Sequence, residues 1–237
     1  LRRAQGCLLG QVAGDSLGSL VEFMSAAEVQ ARYPDGPRRL ADGGVHDTLA
    51  GQATDDSEMA LALARALVAR GAFDADAVAG AYRRWHEWGP FDVGLTTRAA
   101  LTGTPPAGSQ ANGPLMRASP LGVFAWDRTA AEAAALARAD SAPTHPHPVC
   151  GDSVAAFVIA IAHALRHGDA RGAWEAARDW ARGNAAGEVL VALEAAVEAP
   201  PVCDGPQQGW VLKALQNAFH ELLHARGLEE GVVATVR

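Results

Sequence analysis

The sequence predicts an all-α protein, a compact orthogonal bundle of ten or more helices. Three observations lead there. Alanine, the strongest helix former, is abundant along the whole chain. No run of alternating β-branched residues marks a strand. Segments of helical length alternate with Gly/Pro-rich stretches, and several open on capping residues.

The first helix is expected over 4–23, bent at Gly14 or Gly18. Ser25-Ala26-Ala27-Glu28 is a capping box for a short helix that stops before Pro34. Residues 34–52 read as a loop rich in Gly, Pro and Asp. Thr54 is expected to cap a long helix over 55–70, with Gly71 as its stop. Helices follow over 74–88 and 95–101, then a loop over 102–113 and a helix from near Pro114. Thr129-Ala130-Ala131-Glu132 is a second capping box, opening a helix to about residue 140. Residues 141–149 hold three prolines and two histidines and read as a loop. Helices close the chain over 150–167, 171–183, 187–198, 209–226 and 228–236. No internal repeat or linker stands out, so a single domain over 1–237 is expected.

Composition narrows the function. Hydrophobic residues are 49% and charged residues 20% of 237, which excludes disorder. The net charge of -7 speaks against general nucleic-acid binding, which needs a basic surface. Only Lys213 is a lysine, so a lysine nucleophile is not expected. Three cysteines without a CxxC point to a reducing, cytoplasmic setting rather than a disulfide framework. No apolar run was expected to reach the roughly 18–20 residues of a membrane helix. The opening Leu1-Arg2-Arg3 looks like a leader, but Gln11, Asp15 and Glu22 interrupt its apolar run.

The most informative stretch is Gly51-Gln52-Ala53-Thr54-Asp55-Asp56-Ser57-Glu58. Three adjacent oxygen-bearing side chains, 54 to 56, sit where a loop becomes a helix. Hard cations such as Mg²⁺ take oxygen ligands of this kind. The same pattern also serves ordinary capping and dipole compensation.

Several motifs in fixed order add context. They are Gly6-Cys7-Leu8-Leu9-Gly10, Gly14-Asp15-Ser16-Leu17-Gly18 with Glu22, and Gly51-Gln52 leading into Thr54-Asp55-Asp56-Ser57 and Met59-Ala60-Leu61. Phe91-Asp92-Val93-Gly94, Asn112-Gly113-Pro114-Leu115-Met116-Arg117 and Thr144-His145-Pro146 follow. Over most of residues 5–150 the chain resembles the ADP-ribosylglycohydrolase family. That resemblance implies an all-α fold and a hydrolase that frees ADP-ribose from a target, often the guanidinium nitrogen of arginine. It implies a pair of Mg²⁺ or Mn²⁺ ions, with Thr54, Asp55 and Asp56 as metal ligands. Asp55, Asp56 and Glu22 take the catalytic roles, Glu22 from a mobile loop. Asp92 is implied as a carboxylate facing the substrate, Asn112, Gly113 and Met116 as parts of the ADP-ribose pocket, and His145 as a ribose or phosphate contact. A cytoplasmic monomer is expected.

Simpler roles exist for several of these residues. Asp15 reads as a buried structural acid or a cap, Asp92 as a helix cap, and Arg117 as an ion-pair partner. Met116 doubles as packing, and His147 reads as an exposed loop residue.

Members of the family carry a second acidic motif, Asp-x-Asp-Thr or Asp-x-Asp-Ser, near the C-terminus. No such motif occurs in the last third of this sequence, and Asp204-Gly205 comes too early to replace it. The motif is expected to follow Arg237 in the natural protein. Thr54, Asp55 and Asp56 alone would hold metal weakly. An inactive ADP-ribose-binding member is therefore the alternative function.

One competing motif remains. His220-Glu221-Leu222-Leu223-His224 matches HExxH, with Glu221 as base and Glu230 as third ligand of a remote zinc-protease alternative. A polar helix face explains the same residues.

Overall fold

The computed structural model describes residues 1–203, 205 and 207–236. Asp204 lies outside them. Thirteen helices follow in order: α1 (Arg2–Gly18), α2 (Ala26–Arg32), α3 (Asp55–Arg70), α4 (Ala75–Glu87), α5 (Leu95–Thr102), α6 (Gly113–Met116), α7 (Ser119–Phe124), α8 (Ala130–Ser141), α9 (Pro148–His167), α10 (Ala170–Asn184), α11 (Gly187–Glu198), α12 (Val211–His224) and α13 (Leu228–Thr235). Among the described residues there is no strand. Two isolated bridges occur, Gly43 with Thr48 and Ala111 with Trp210.

Local chemistry explains most boundaries. Ser25 and Thr129 each accept from the backbone three residues on, and Glu28 and Glu132 return the bond. Asp74 and Asp169 cap α4 and α10 with their carboxylates. Gly71 and Gly168 end α3 and α9 in the left-handed conformation that lacks a Cβ penalty. α1 stops at Gly18, and a run of turns carries the chain to residue 23, where a helix bent at Gly14 or Gly18 was expected to continue. The helix expected near Pro114 is two short ones, each with proline in its first turn.

α9 is the central helix, with both its apolar faces covered. Twelve of its residues are buried, from Val149 to Ala162. It is also long and apolar enough to cross a membrane, which corrects the expectation that no such run exists. Two thirds of that window (67%) is buried in the protein interior, as suits a core helix. Against it pack α7, α8 and α10. Met59, Leu63 and Leu67 lie at helical spacing on α3 and join Val78, Tyr82 and Trp85 of α4 in the same core. The Trp85 indole donates to Glu58 at 2.7 Å and pins the two helices together. A smaller cluster of Leu17, Leu20, Val21, Val29 and Val233 joins the end of α1 to α2 and α13.

A buried ion pair crosses the core. Arg117 is fully buried and donates to the Asp140 carboxylate (3.2 Å), the Asp140 carbonyl (2.8 Å) and the Thr144 hydroxyl (3.0 Å). The Tyr82 hydroxyl donates to the other Asp140 oxygen at 2.6 Å, and the guanidinium lies over the Tyr82 ring. Arg117 thus acts as the structural ion-pair partner that the sequence allowed. All three cysteines are free thiols.

Candidate active site

The site begins where α1 meets the start of α3. Thr54 occupies the N-cap position, but its side chain makes no capping bond. This corrects the expectation that Thr54 caps the helix itself. Asp15, from α1, does the work. Its carboxylate accepts from the Thr54 backbone N–H at 3.1 Å and from the Ser57 backbone N–H at 3.1 Å. It also accepts from the Thr54 hydroxyl at 2.6 Å. A carboxylate at a helix N-terminus satisfies orphan donors and faces the positive end of the dipole. Because Thr54 gives its proton to Asp15, its hydroxyl lone pairs are left for another partner.

The next residue, Asp55, turns toward a third segment. One oxygen of Asp55 accepts from the Gly94 backbone N–H at 3.2 Å, at the start of α5. That contact brings Asp92 beside Asp55. Asp92 caps no helix, since Gly94 holds that position. Burial, reinforced by the Asp92 charge, pushes Asp55 up to about 7. Burial also pushes Asp56 well above the usual carboxylate range, with the charges of Asp55 and Asp15 adding to it. Glu22 is raised too, first by desolvation and then by Asp92, while His46 pulls it back.

His46 joins Glu22 to Asp92. Its Nε2 lies 3.3 Å from Glu22 Oε2 and 3.5 Å from Asp92 Oδ2. Ligand atoms of these three side chains all lie within 4.8 Å of one another. A tight turn delivers the imidazole: Gly43 and Thr48 exchange backbone hydrogen bonds, and the Thr48 hydroxyl donates to the Gly43 carbonyl. Gly44 sits directly on the Ser19 carbonyl with φ +77, so a Cβ has no room there. Among the described residues, no arginine or lysine forms an ion pair with Glu22 or Asp92, and His46 alone does so.

The expected ADP-ribose wall adjoins this cluster. The Gln11 amide donates to the Asp56 carbonyl (3.3 Å) and the Met116 carbonyl (3.0 Å), tying α3 to α6. Asn112 precedes α6, and its N–H donates to the Gly209 carbonyl. Gly113 is buried against His145 and Thr97, and a Cβ there would collide with the imidazole. His145 itself is 1% exposed and bonds through Nδ1 to the Thr144 hydroxyl, while Nε2 has no partner. Burial, followed by the Arg117 charge, lowers its pKa to about 3. The structure therefore places His145 behind Gly113 rather than on an open surface. His147 is tied down as well, because it caps α9 and accepts from the Val149 N–H.

Thr54, Asp55, Asp56, Glu22 and Asp92 thus converge, with Met116 linked to them through Gln11. Sequence reasoning missed His46, Gln11 and the Gly94 N–H. The glycine pair before His46 was its only local signal.

The HExxH pair is used otherwise. His220 Nδ1 lies 2.9 Å from the Ala196 carbonyl and His224 Nε2 lies 3.0 Å from the Val197 carbonyl. Both rings lock α12 onto α11, so the zinc-protease alternative is set aside.

This all-helical scaffold, with an acid-rich cluster at one helix start, defines a class that comparison identifies. The chain belongs to the ADP-ribosylglycohydrolase family, whose profile matches residues 1–237. It is 37% identical over 157 residues to ADP-ribosyl-(dinitrogen reductase) glycohydrolase of Rhodospirillum rubrum, covering 62% of this chain and 52% of that protein. It is 36% identical over 143 residues to ADP-ribosylarginine hydrolase Tri1 of Pseudomonas putida (strain GB-1), covering 52% of this chain and 36% of that protein. A solved ADP-ribosylglycohydrolase-related protein complex superposes with a TM-score of 0.83 at 27% identity. That match covers 99% of this chain and 80% of the other. The chain matches about half the length of the first of these curated relatives.

Proposed function

We propose that this chain carries the catalytic core of a metal-dependent ADP-ribosylhydrolase, with ADP-ribosyl-arginine on protein as substrate. The gathering of Asp55, Asp56, Glu22 and Asp92 around one helix start carries the reading. Burying that much like charge is costly unless a cation shares the space. The donor set suits Mg²⁺ or Mn²⁺, being hard oxygens with the Thr54 hydroxyl proton already committed to Asp15. Thr54, Asp55 and Asp56 would hold the metal.

When bound, such an ion supplies a water of lowered pKa and a grip on ribose hydroxyls. The remaining work falls to the chain. Asp55 or Asp56 takes a proton from the attacking water. The new C–O bond forms at the anomeric carbon of the distal ribose as the C–N bond to the guanidine breaks, through an oxocarbenium-like transition state. The leaving guanidine gains a proton. Glu22, about one third exposed at the edge of the cluster (34%), shapes entry and assists that transfer. Asp92 faces the substrate. Asn112, Gly113 and Met116 form the ADP-ribose wall, which His145 supports from behind.

The test is release of free ADP-ribose from arginine-linked and serine-linked substrates in buffer containing Mg²⁺ or Mn²⁺. Arginine-linked turnover lost by orders of magnitude in Asp55→Asn and Asp56→Asn, with the fold intact, is the expected result. Binding of ADP-ribose without turnover of any linkage would assign the chain to an inactive member instead.

A further inference from the structure

Next to the acid cluster lies a group of rings that the proposed hydrolysis does not use. The Phe23 ring centroid is 6.5 Å from that of His46, and the Phe91 centroid is 5.5 Å from it, both edge-on. Phe23 is 71% exposed and Phe91 45% exposed. Neither ring is covered in the way a core aromatic would be. Phe23 also holds φ +61, and Asp47, beside His46, holds φ +51. Among the described residues these are the two non-glycine residues with positive φ, and they flank the same spot. A left-handed backbone is unfavourable at an aromatic residue, and an exposed ring regains little of that cost by packing. Strain of this kind persists where the surroundings hold it, often at binding sites.

The charges agree with the rings. Two carboxylates, Glu22 and Asp92, face one planar nitrogen ring, and no arginine or lysine pairs with either among the described residues. A planar ring flanked by two phenyl groups and two carboxylates describes a receptor for a planar cation. Guanidinium fits it better than ammonium. It is flat, presents several N–H groups to paired carboxylates, and is held well by aromatic rings.

We propose that Phe23, Phe91, Glu22 and Asp92 form a receptor for the guanidinium of the target arginine, and that the His46 ring fills it as a placeholder. This deepens the hydrolase reading and rests on it for the identity of the substrate. Asp92 belongs both to this receptor and to the surroundings of Asp55, so a cation held here has its nitrogen next to the acids. The turn bearing His46 is fastened by Gly43, Gly44 and Thr48 independently of the imidazole, so removing that ring leaves the turn in place.

The test is an NMR titration of the metal-free chain with N-butylguanidinium, using N-butylurea as its neutral isostere. The parent is expected to bind the cation and not the urea. Phe23→Ala and Phe91→Ala should each weaken binding by about twofold to fivefold, the range of a cation–π contact at an exposed site. His46→Ala, which empties the slot, should bind at least as tightly as the parent. Unchanged affinity in both phenylalanine variants, equal binding of the urea, or loss of binding in His46→Ala overturns the proposal. So does Zn²⁺ or Mn²⁺ binding that His46→Ala abolishes while the phenylalanine variants leave guanidinium binding untouched, since that assigns Glu22, His46 and Asp92 to a metal. If the chain cleaves arginine-linked ADP-ribose but the phenylalanine variants bind N-butylguanidinium like the parent, the receptor falls and the hydrolase stands. If no linkage is cleaved while the binding pattern holds, the hydrolase reading falls and the receptor stands.

Discussion

Asp15 on α1 accepts the hydroxyl proton of Thr54 at 2.6 Å while also capping the helix that Thr54 precedes. One carboxylate thereby fixes the first turn of α3 and the orientation of the Thr54 hydroxyl. Asp15→Ala leaves two backbone N–H groups and a hydroxyl without their acceptor, and should lower stability by about 2–4 kcal/mol. Asp15→Asn keeps one acceptor oxygen and should lose less. Thr54→Val removes only the hydroxyl bond and should cost about 1 kcal/mol. Urea unfolding of the three variants measures these losses, and equal stability of Asp15→Ala and the parent would contradict the capping role.

The acids at the start of α3 should trade stability for function. Asp55 and Asp56 both have raised pKa values, caused first by burial. A carboxylate raised on folding binds more protons in the folded chain, so it favours the fold at low pH and disfavours it as pH rises through the folded value. Without metal, Asp55→Asn and Asp56→Asn should therefore raise the melting temperature, and the gain should be larger at pH 8 than at pH 5. Metal reverses the comparison. Mn²⁺ at a concentration near its Kd should stabilise the parent, by about 0.4 kcal/mol, and should leave both variants unmoved. Thermal melts with and without chelator separate the two effects.

His145 gives the opposite pH sign. Its folded pKa of about 3 lies below the ordinary 6.5, so the unfolded chain takes up the proton first. The stability it contributes is present above about pH 6.5 and is lost as pH falls toward 3. Between pH 7 and pH 5 the parent should lose about 2 kcal/mol relative to His145→Asn. Comparing the two proteins by denaturant unfolding cancels the contributions of the other acids. A constant difference across that range would contradict burial of the neutral ring.

The Arg117–Asp140 pair should be far more sensitive than the surface pairs. Asp140→Ala leaves a guanidinium buried without its counter-charge and should cost about 3–5 kcal/mol. Glu229→Ala breaks the exposed pair with Arg38 and should cost less than about 1 kcal/mol. Chemical unfolding of both variants checks the contrast.

The fold was legible because its signals are local. Capping boxes at Ser25 and Thr129 and the glycine stops at 71 and 168 act within a few residues of where they stand. The split of the segment after Asn112 into α6 and α7 was not legible, because Pro114 and Pro120 can open helices as well as end them. The Thr54-Asp55-Asp56 run was visible as a chemical pattern. Its partners were hidden by distance along the chain. Asp15 lies 39 residues before Thr54, and Gly94 lies 39 residues after Asp55. His46 meets Glu22 and Asp92 from a loop without periodicity, which no pattern in one sequence reveals.

Because Thr54 hands its cap to another helix, a peptide carrying α3 alone has an unfinished beginning. Its first turn is completed only by docking against α1. The Thr54 hydroxyl takes its orientation only when α1 docks, because its acceptor stands on that helix.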